Sequence, residues 1–227
     1  GNVWGYQGST GDVDYTFDYH KAMNSFRNHP KMAGWLYTEH HDVINEWNGY
    51  YKFDRTEKET GLGAIVPGMT LKDLHGPFYL STGQEITWAG KAGQTVKIPL
   101  HVSTMTDLSG SLRLKITFAG ITAWGEKQTH WTKELPLQFK PWDVKALDSL
   151  NVVLPKDKSV NTLTFTLTDA KGNVVHRNFG HIIVEEGNTQ PSNMQLQLIS
   201  VPVERFSTAQ FTEKQWSGVL GHKVNGA

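Results

Sequence analysis

From residue 78 to residue 185 the chain repeats one pattern: a short run of alternating apolar and polar side chains, then a turn. Period-two alternation puts the apolar groups on one face of a pleated strand, so each run must bury that face. The runs fall at 78–81, 85–89, 95–103, 111–119, 128–135, 144–154, 161–168 and 174–185. Thr164-Phe165-Thr166-Leu167-Thr168 alternates without interruption, Asp169-Ala170-Lys171-Gly172-Asn173 supplies a turn, and Val174-Val175 starts the return. Short strands at this spacing predict a mainly β fold, an immunoglobulin-like β-sandwich. The chain has no Cys. Disulfides, thiolate zinc sites and Cys nucleophiles are therefore excluded.

The first sixty residues have another rhythm. Tyr15, Tyr19, Ala22, Met23 and Phe26 recur at helical spacing, Asp12 or Asp14 is placed to cap, and Pro30 ends the segment, predicting a helix over 14–28. The apolar run 32–37 then reads as a strand buried on both faces. Helix, tight link and buried strand is the repeat unit of an α/β barrel or a doubly wound sheet, and one unit cannot bury its own faces. Gly- and Pro-rich residues 61–77 read as a linker, and the polar residues 186–193, which hold Pro191, as a second. Beyond it, 194–203 reads as one strand of a further β-rich domain occupying the rest of 187–227. The opening Gly1-Asn2-Val3-Trp4 and the closing Asn225-Gly226-Ala227 read as the ends of a piece of a longer protein.

Charge narrows the partners. Twenty-two Lys and Arg balance 22 Asp and Glu, which removes the electrostatic basis for wrapping nucleic acid or an anionic membrane. No apolar run approaches the roughly 18 residues of a membrane-spanning helix. Gly8-Ser9-Thr10-Gly11 lacks the Lys and the preceding strand of a phosphate loop. No cofactor is expected.

The chemistry-bearing stretch is Ala33-Gly34-Trp35-Leu36-Tyr37-Thr38-Glu39-His40-His41-Asp42-Val43, with Asn48-Gly49 and Asp54-Arg55-Thr56-Glu57-Lys58 after it. Polar residues at the carboxyl end of a barrel strand face the pocket where barrel chemistry occurs. The run resembles the end of the barrel in glycoside hydrolase family 2, the β-galactosidases and β-glucuronidases, whose eighth strand has a similar Ala-Gly-Tyr-x-Tyr-Thr-Gln-x-x-Asp-Val pattern followed by Asn-Gly and Asp-Arg-x-x-Lys. Gly34, Tyr37, Thr38, Asp42, Asn48, Gly49, Asp54, Arg55 and Lys58 fall in place, while Glu39 stands where Gln is common and His40-His41 is unusual. The resemblance implies that 1–60 is the C-terminal piece of a (β/α)8 barrel and 78–186 the sandwich that follows it. It also implies retaining hydrolysis of β-linked sugars by two carboxylates about 5–5.5 Å apart. In the family these end the fourth and seventh strands, outside this chain, so the chain alone is expected to be inactive and neither Glu39 nor Glu46 catalytic.

The substrate contacts implied by the resemblance are Tyr37, Glu39, His40, Asn48 and Trp4. Tyr37 reads equally as a sugar floor or a core aromatic, and Asn48 as a substrate contact or an Asn-Gly turn. A metal role for His40, His41 and Asp42 is disfavoured, because neighbours on a strand point to opposite faces and zinc needs at least three protein ligands. The remaining His residues read as surface or half-buried groups. The carbohydrate partner belongs to the parent enzyme, self-association of the fragment is expected, and a polysaccharide-degrading parent favours a periplasmic or extracellular location. The alternative is a non-catalytic sandwich that binds carbohydrate or scaffolds neighbouring domains, with Trp88, Trp124, Trp131 and Trp142 as candidate binding aromatics.

Overall fold

A computed structural model describes residues 16–44, 46–58 and 60–190. The expected strands form. They are β1 (Phe78–Ser81), β2 (Thr87–Lys91), β3 (Thr95–Thr104), β4 (Gly110–Thr122), β5 (Lys127–Phe139), β6 (Val144–Val153), β7 (Ser159–Thr168) and β8 (Val174–Glu186). They make two sheets, ordered β1-β3-β6 and β2-β8-β7-β4-β5. Pairing is antiparallel except for β2, which runs parallel to β8. The chain leaves the first sheet after β1 and joins the second as β2, turning through Gly83 at φ 86°. This is immunoglobulin-like topology, with the first strand split between the sheets.

Alternation does the packing. Along β7 every second residue is buried, so Leu163, Phe165 and Leu167 face inward with Leu112, Leu114, Ile116 and Phe118 of β4. Ile98, Leu100 and Val102 of β3 meet them from the other sheet.

A second apolar cluster sits where β1 and β8 approach. It joins Tyr79 and Phe179 to α1 (Thr16–Phe26), α2 (Leu62–Ile65) and α3 (Leu71–His75). Segment 61–77 is therefore not the open linker its Gly and Pro content suggests. Leu62, Val66, Met69 and Leu74 are buried, and the breakers make turns between two short helices. Thr70 starts α3 with a capping box, its hydroxyl accepting from Lys72 N while Asp73 accepts from Thr70 N at 2.9 Å.

The helix at 16–26 buries Tyr19 and Met23 of the expected face, but its buried stripe is shifted toward polar residues. Thr16, Tyr19, His20, Met23, Asn24 and Arg27 are buried, whereas Phe26 is exposed. Polar members of this stripe are satisfied across the interface. Asn24 donates to Thr82 Oγ1 at 2.9 Å and Gly83 O at 2.7 Å, and His20 bonds Asn178. Arg27 donates through Nε to Ser103 Oγ at 2.9 Å, and through Nη1 and Nη2 to Gly76 O and Pro77 O at 2.8 and 3.2 Å. A guanidinium with five donors can be buried on carbonyl and hydroxyl oxygens in this way.

The strand expected over 32–37 does not form among the described residues. Met32, Ala33 and Gly34 are exposed and Leu36 is 93% exposed, while Trp35 and Tyr37 pack against the second cluster. A run of apolar residues becomes a two-faced buried strand only when flanking strands supply ladder partners. His20 and His176 also depart from expectation, since both are fully buried. The further domain assigned to 187–227 lies, from residue 191 onward, outside the described residues, as does the start of the helix at 14–15.

Candidate functional site

The polar segment after Tyr37 folds into a loop held by its own motif residues. Asp42, 4% exposed, accepts from Lys58 Nζ at 2.7 Å and from Gly49 N at 3.0 Å. Lys58 also donates to Trp47 O at 2.9 Å. Gly49 is required by space, because a Cβ there would lie 2.3 Å from the His41 carbonyl carbon. Asp42 N donates to Tyr51 O at 2.9 Å and Tyr51 N to His40 O at 3.2 Å, which fixes the two arms of the loop. Asp54 accepts from both Thr56 N and Thr56 Oγ1, an Asx turn that holds its carboxyl below the usual range. Arg55 adopts φ 68° and donates to Phe53 O. Asp42, Gly49, Asp54 and Lys58 thus build the loop rather than a reaction centre.

Beneath the loop lies an aromatic cluster. The Tyr37 and Tyr50 rings stack at 4.2 Å and 19°, and Tyr19 meets Tyr37 edge-on at 5.1 Å. The Tyr19 hydroxyl sits 2.7 Å from the Tyr50 hydroxyl and 3.1 Å from His75 Nε2. Burial raises the Tyr19 and Tyr50 phenols above their ordinary value, so both stay protonated. Burial, with a smaller contribution from the Arg27 charge, lowers His75 and favours its neutral form.

Of the expected contacts, Tyr37, Glu39, His40 and Asn48 fall in this region, and Trp4 lies outside the described residues. Tyr37 donates to Asn48 O, and Asn48 Nδ2 donates to Thr38 O, so both carry structural bonds. Glu39 Oε1 is buried without a hydrogen-bond partner among the described residues. His40 is exposed, its ring 5.0 Å from that of Tyr51. Among the described residues no group of three His, Asp or Glu is disposed to hold a metal ion.

A cleft of about 360 Å³ opens between this loop and α3, lined by His40, Tyr50, Tyr51, Glu57, Lys72 and His75 among others. Tyr50, Tyr51, Lys72 and His75 escaped the sequence reading; the doublet Tyr50-Tyr51 directly after Asn48-Gly49 was the available signal. The tryptophans offer less. Trp88 and Trp131 pack against the sandwich core, Trp124 donates to Glu126, and exposed Trp142 donates to Asp107 Oδ1 at 2.7 Å.

No family model matches the chain, and no curated protein matches it. Family 2 glycosyl hydrolases are among the similar solved structures. One is a member from Bacteroides cellulosilyticus, at 11% identity and TM-score 0.32, over 42% of this chain and 13% of that one. Another is Bacteroides uniformis β-glucuronidase 2, bound covalently to a cyclophellitol-6-carboxylate aziridine, at 13% and 0.32 over 48% and 13%. The sporulation control protein Spo0M of Bacillus subtilis is also similar, at 15% and 0.36 over 50% and 51%. The chain spans about 13% of the length of the two hydrolases. Likenesses at these values carry no argument about activity, and the fold rests on the strand order itself.

Proposed function

We propose that this chain is part of a retaining glycoside hydrolase of the family 2 type acting on β-linked sugars, contributing the last barrel segment and the sandwich behind it. The observation that carries the reading is the interlock of Asp42, Gly49 and Lys58. The motif singled out by resemblance spans residues 34–58, and three of its separated members meet in one buried contact. In the proposed reaction a carboxylic acid protonates the leaving oxygen as a carboxylate attacks the anomeric carbon. Water then cleaves the glycosyl ester and returns the proton, for a net consumption of one water. Both carboxylates lie outside this chain on this reading, and His40 borders the sugar.

The second reading is a non-catalytic β-sandwich for carbohydrate binding or domain scaffolding. The buried Arg27 contacts favour its scaffolding form, because they tie α1 to Ser103 of β3 and to the carbonyls of Gly76 and Pro77.

The experiment is covalent trapping. The whole protein encoded by the reading frame, incubated with activated 2-deoxy-2-fluoro-β-glycosides, acquires one glycosyl group on a Glu outside residues 1–227. An adduct on Glu39 or Glu46, or none across a panel of sugars, contradicts the proposal.

A further inference from the structure

We propose that the cleft between the 40–60 loop and α3 is a sugar subsite whose aromatic wall is Tyr51, with Glu57 and Lys72 as its polar rim, and that Tyr37 stands behind it as a structural prop. The ligand class rests on the glycoside hydrolase reading; the location rests on the geometry.

Tyr37 is the residue the motif offers for stacking, yet its ring is engaged with Tyr50 and Tyr19 and its hydroxyl with Asn48 O, and it does not line the cleft. Tyr51 does line it. Its backbone is clamped on both sides, to His40 O and from Asp42 N, and Asp42 is itself pinned by Lys58 and Gly49. The ring is therefore presented from a fixed backbone, which lowers the ordering cost of binding. A volume of about 360 Å³ lies near the lower end of small-ligand clefts and suits a single ring.

The charges select the chemistry. Lys58 is neutralised within the wall by Asp42 at 2.7 Å. Glu57 and Lys72 oppose each other in sign, and His75 is held toward its neutral form beside Tyr19. The lining is thus balanced, and Thr60 and Thr70 add hydroxyls. A phosphate or sulfate calls for an excess of cationic donors. A neutral ring bearing hydroxyls calls for mixed donors and acceptors beside an aromatic face, and that is the set present.

The test is an amide-shift NMR titration of the 227-residue chain with methyl β-D-galactopyranoside and methyl β-D-glucopyranoside. Saturable shifts are expected at His40, Tyr51, Glu57 and Lys72, with a Kd of order 1–10 mM. Tyr51→Ala weakens binding by about tenfold or more, an effect of the size expected for losing an aromatic contact. Tyr51→Phe keeps the affinity, and so does Tyr37→Phe. Should Tyr51→Ala lose its dispersed spectrum, Lys72→Ala on the rim replaces it, with an expected loss of about threefold, as for one exposed hydrogen bond. Three results overturn the proposal: no saturable shift, shifts unaffected by Tyr51→Ala and Lys72→Ala, or inorganic phosphate binding more tightly than either sugar. Sugar binding here without a covalent adduct in the whole protein would remove the hydrolase reading and leave the subsite. An adduct without cleft shifts would do the reverse.

Discussion

Lys58 places its ammonium 2.7 Å from an Asp42 carboxylate oxygen with both side chains almost wholly withdrawn from water. Such a pair gains little over an apolar pair of equal size, but removing one partner strands a buried charge. Asp42→Ala is therefore expected to cost about 3–5 kcal/mol of local stability. The Asp42→Leu, Lys58→Met double variant should cost clearly less than the two single changes added together. Urea unfolding followed by tyrosine fluorescence, with limited proteolysis of 40–58, measures both. Simple additivity would show that the pair does not hold the loop.

Arg27 gives a second prediction. The residue is 2% exposed, and its guanidinium donates to Ser103 and the carbonyls of Gly76 and Pro77. Burial pulls its pKa down to about 10, so it stays charged at neutral pH. Arg27→Met leaves those acceptors unpaired and is expected to cost about 2–4 kcal/mol. Arg27→Lys should not rescue it, since one ammonium cannot reproduce the fork. Hydrogen exchange should localise the loss to α1 and α3 and leave the amides of β4 and β7 protected.

Acid should act on the same interface. Burial lowers His20 to about 4 and His176 to about 3, the latter helped by the Arg27 charge. Both stay neutral in the fold while the unfolded chain takes up protons near the ordinary imidazole value of about 6.5. Their contribution is thus complete above pH 6.5 and falls as pH drops toward 4, by about 1.4 kcal/mol per pH unit for each histidine. Thermal melts from pH 7 to pH 4 should show a steep decline, and His176→Gln should flatten it. A melting temperature constant over that window contradicts the burial.

Leu36, 93% exposed, lies within the segment that lacks strand partners, and Ile44, 77% exposed, lies beyond it. Covering one such side chain is worth ~1.5–3 kcal/mol, so the isolated chain is expected to self-associate. Light scattering across a concentration series should show it, with Leu36→Ser weakening association by about tenfold or more. A monomer at all concentrations would contradict it.

How far the sequence reveals this fold depends on where each element finds its partners. Strands β4 and β7 are legible over 112–118 and 163–167, where the inward residues are apolar and alternate. Helix α1 is legible as a helix, with Tyr19 and Met23 on its buried face, but the polar half of that face is not, because His20, Asn24 and Arg27 are buried on hydrogen bonds to residues more than fifty positions away. The 61–77 segment reads as a linker because composition reports turns, whereas Leu62 and Leu74 lie between those turns and pack in the cluster of Phe179. At the site, the sequence offered Tyr37 and Asn48, which bond each other, but gave no sign that Tyr51 and Lys72 share a cleft.

If, as proposed, the chain frames a glycosidase site whose catalytic carboxylates lie elsewhere in a longer protein, a turnover assay on p-nitrophenyl β-glycosides separates the two parts. The purified 227-residue chain should release no nitrophenol above the buffer rate, while the whole protein from the reading frame turns the substrate over. Hydrolysis by the chain alone that survives repurification and is abolished by Glu39→Gln or Glu46→Gln would contradict the proposal.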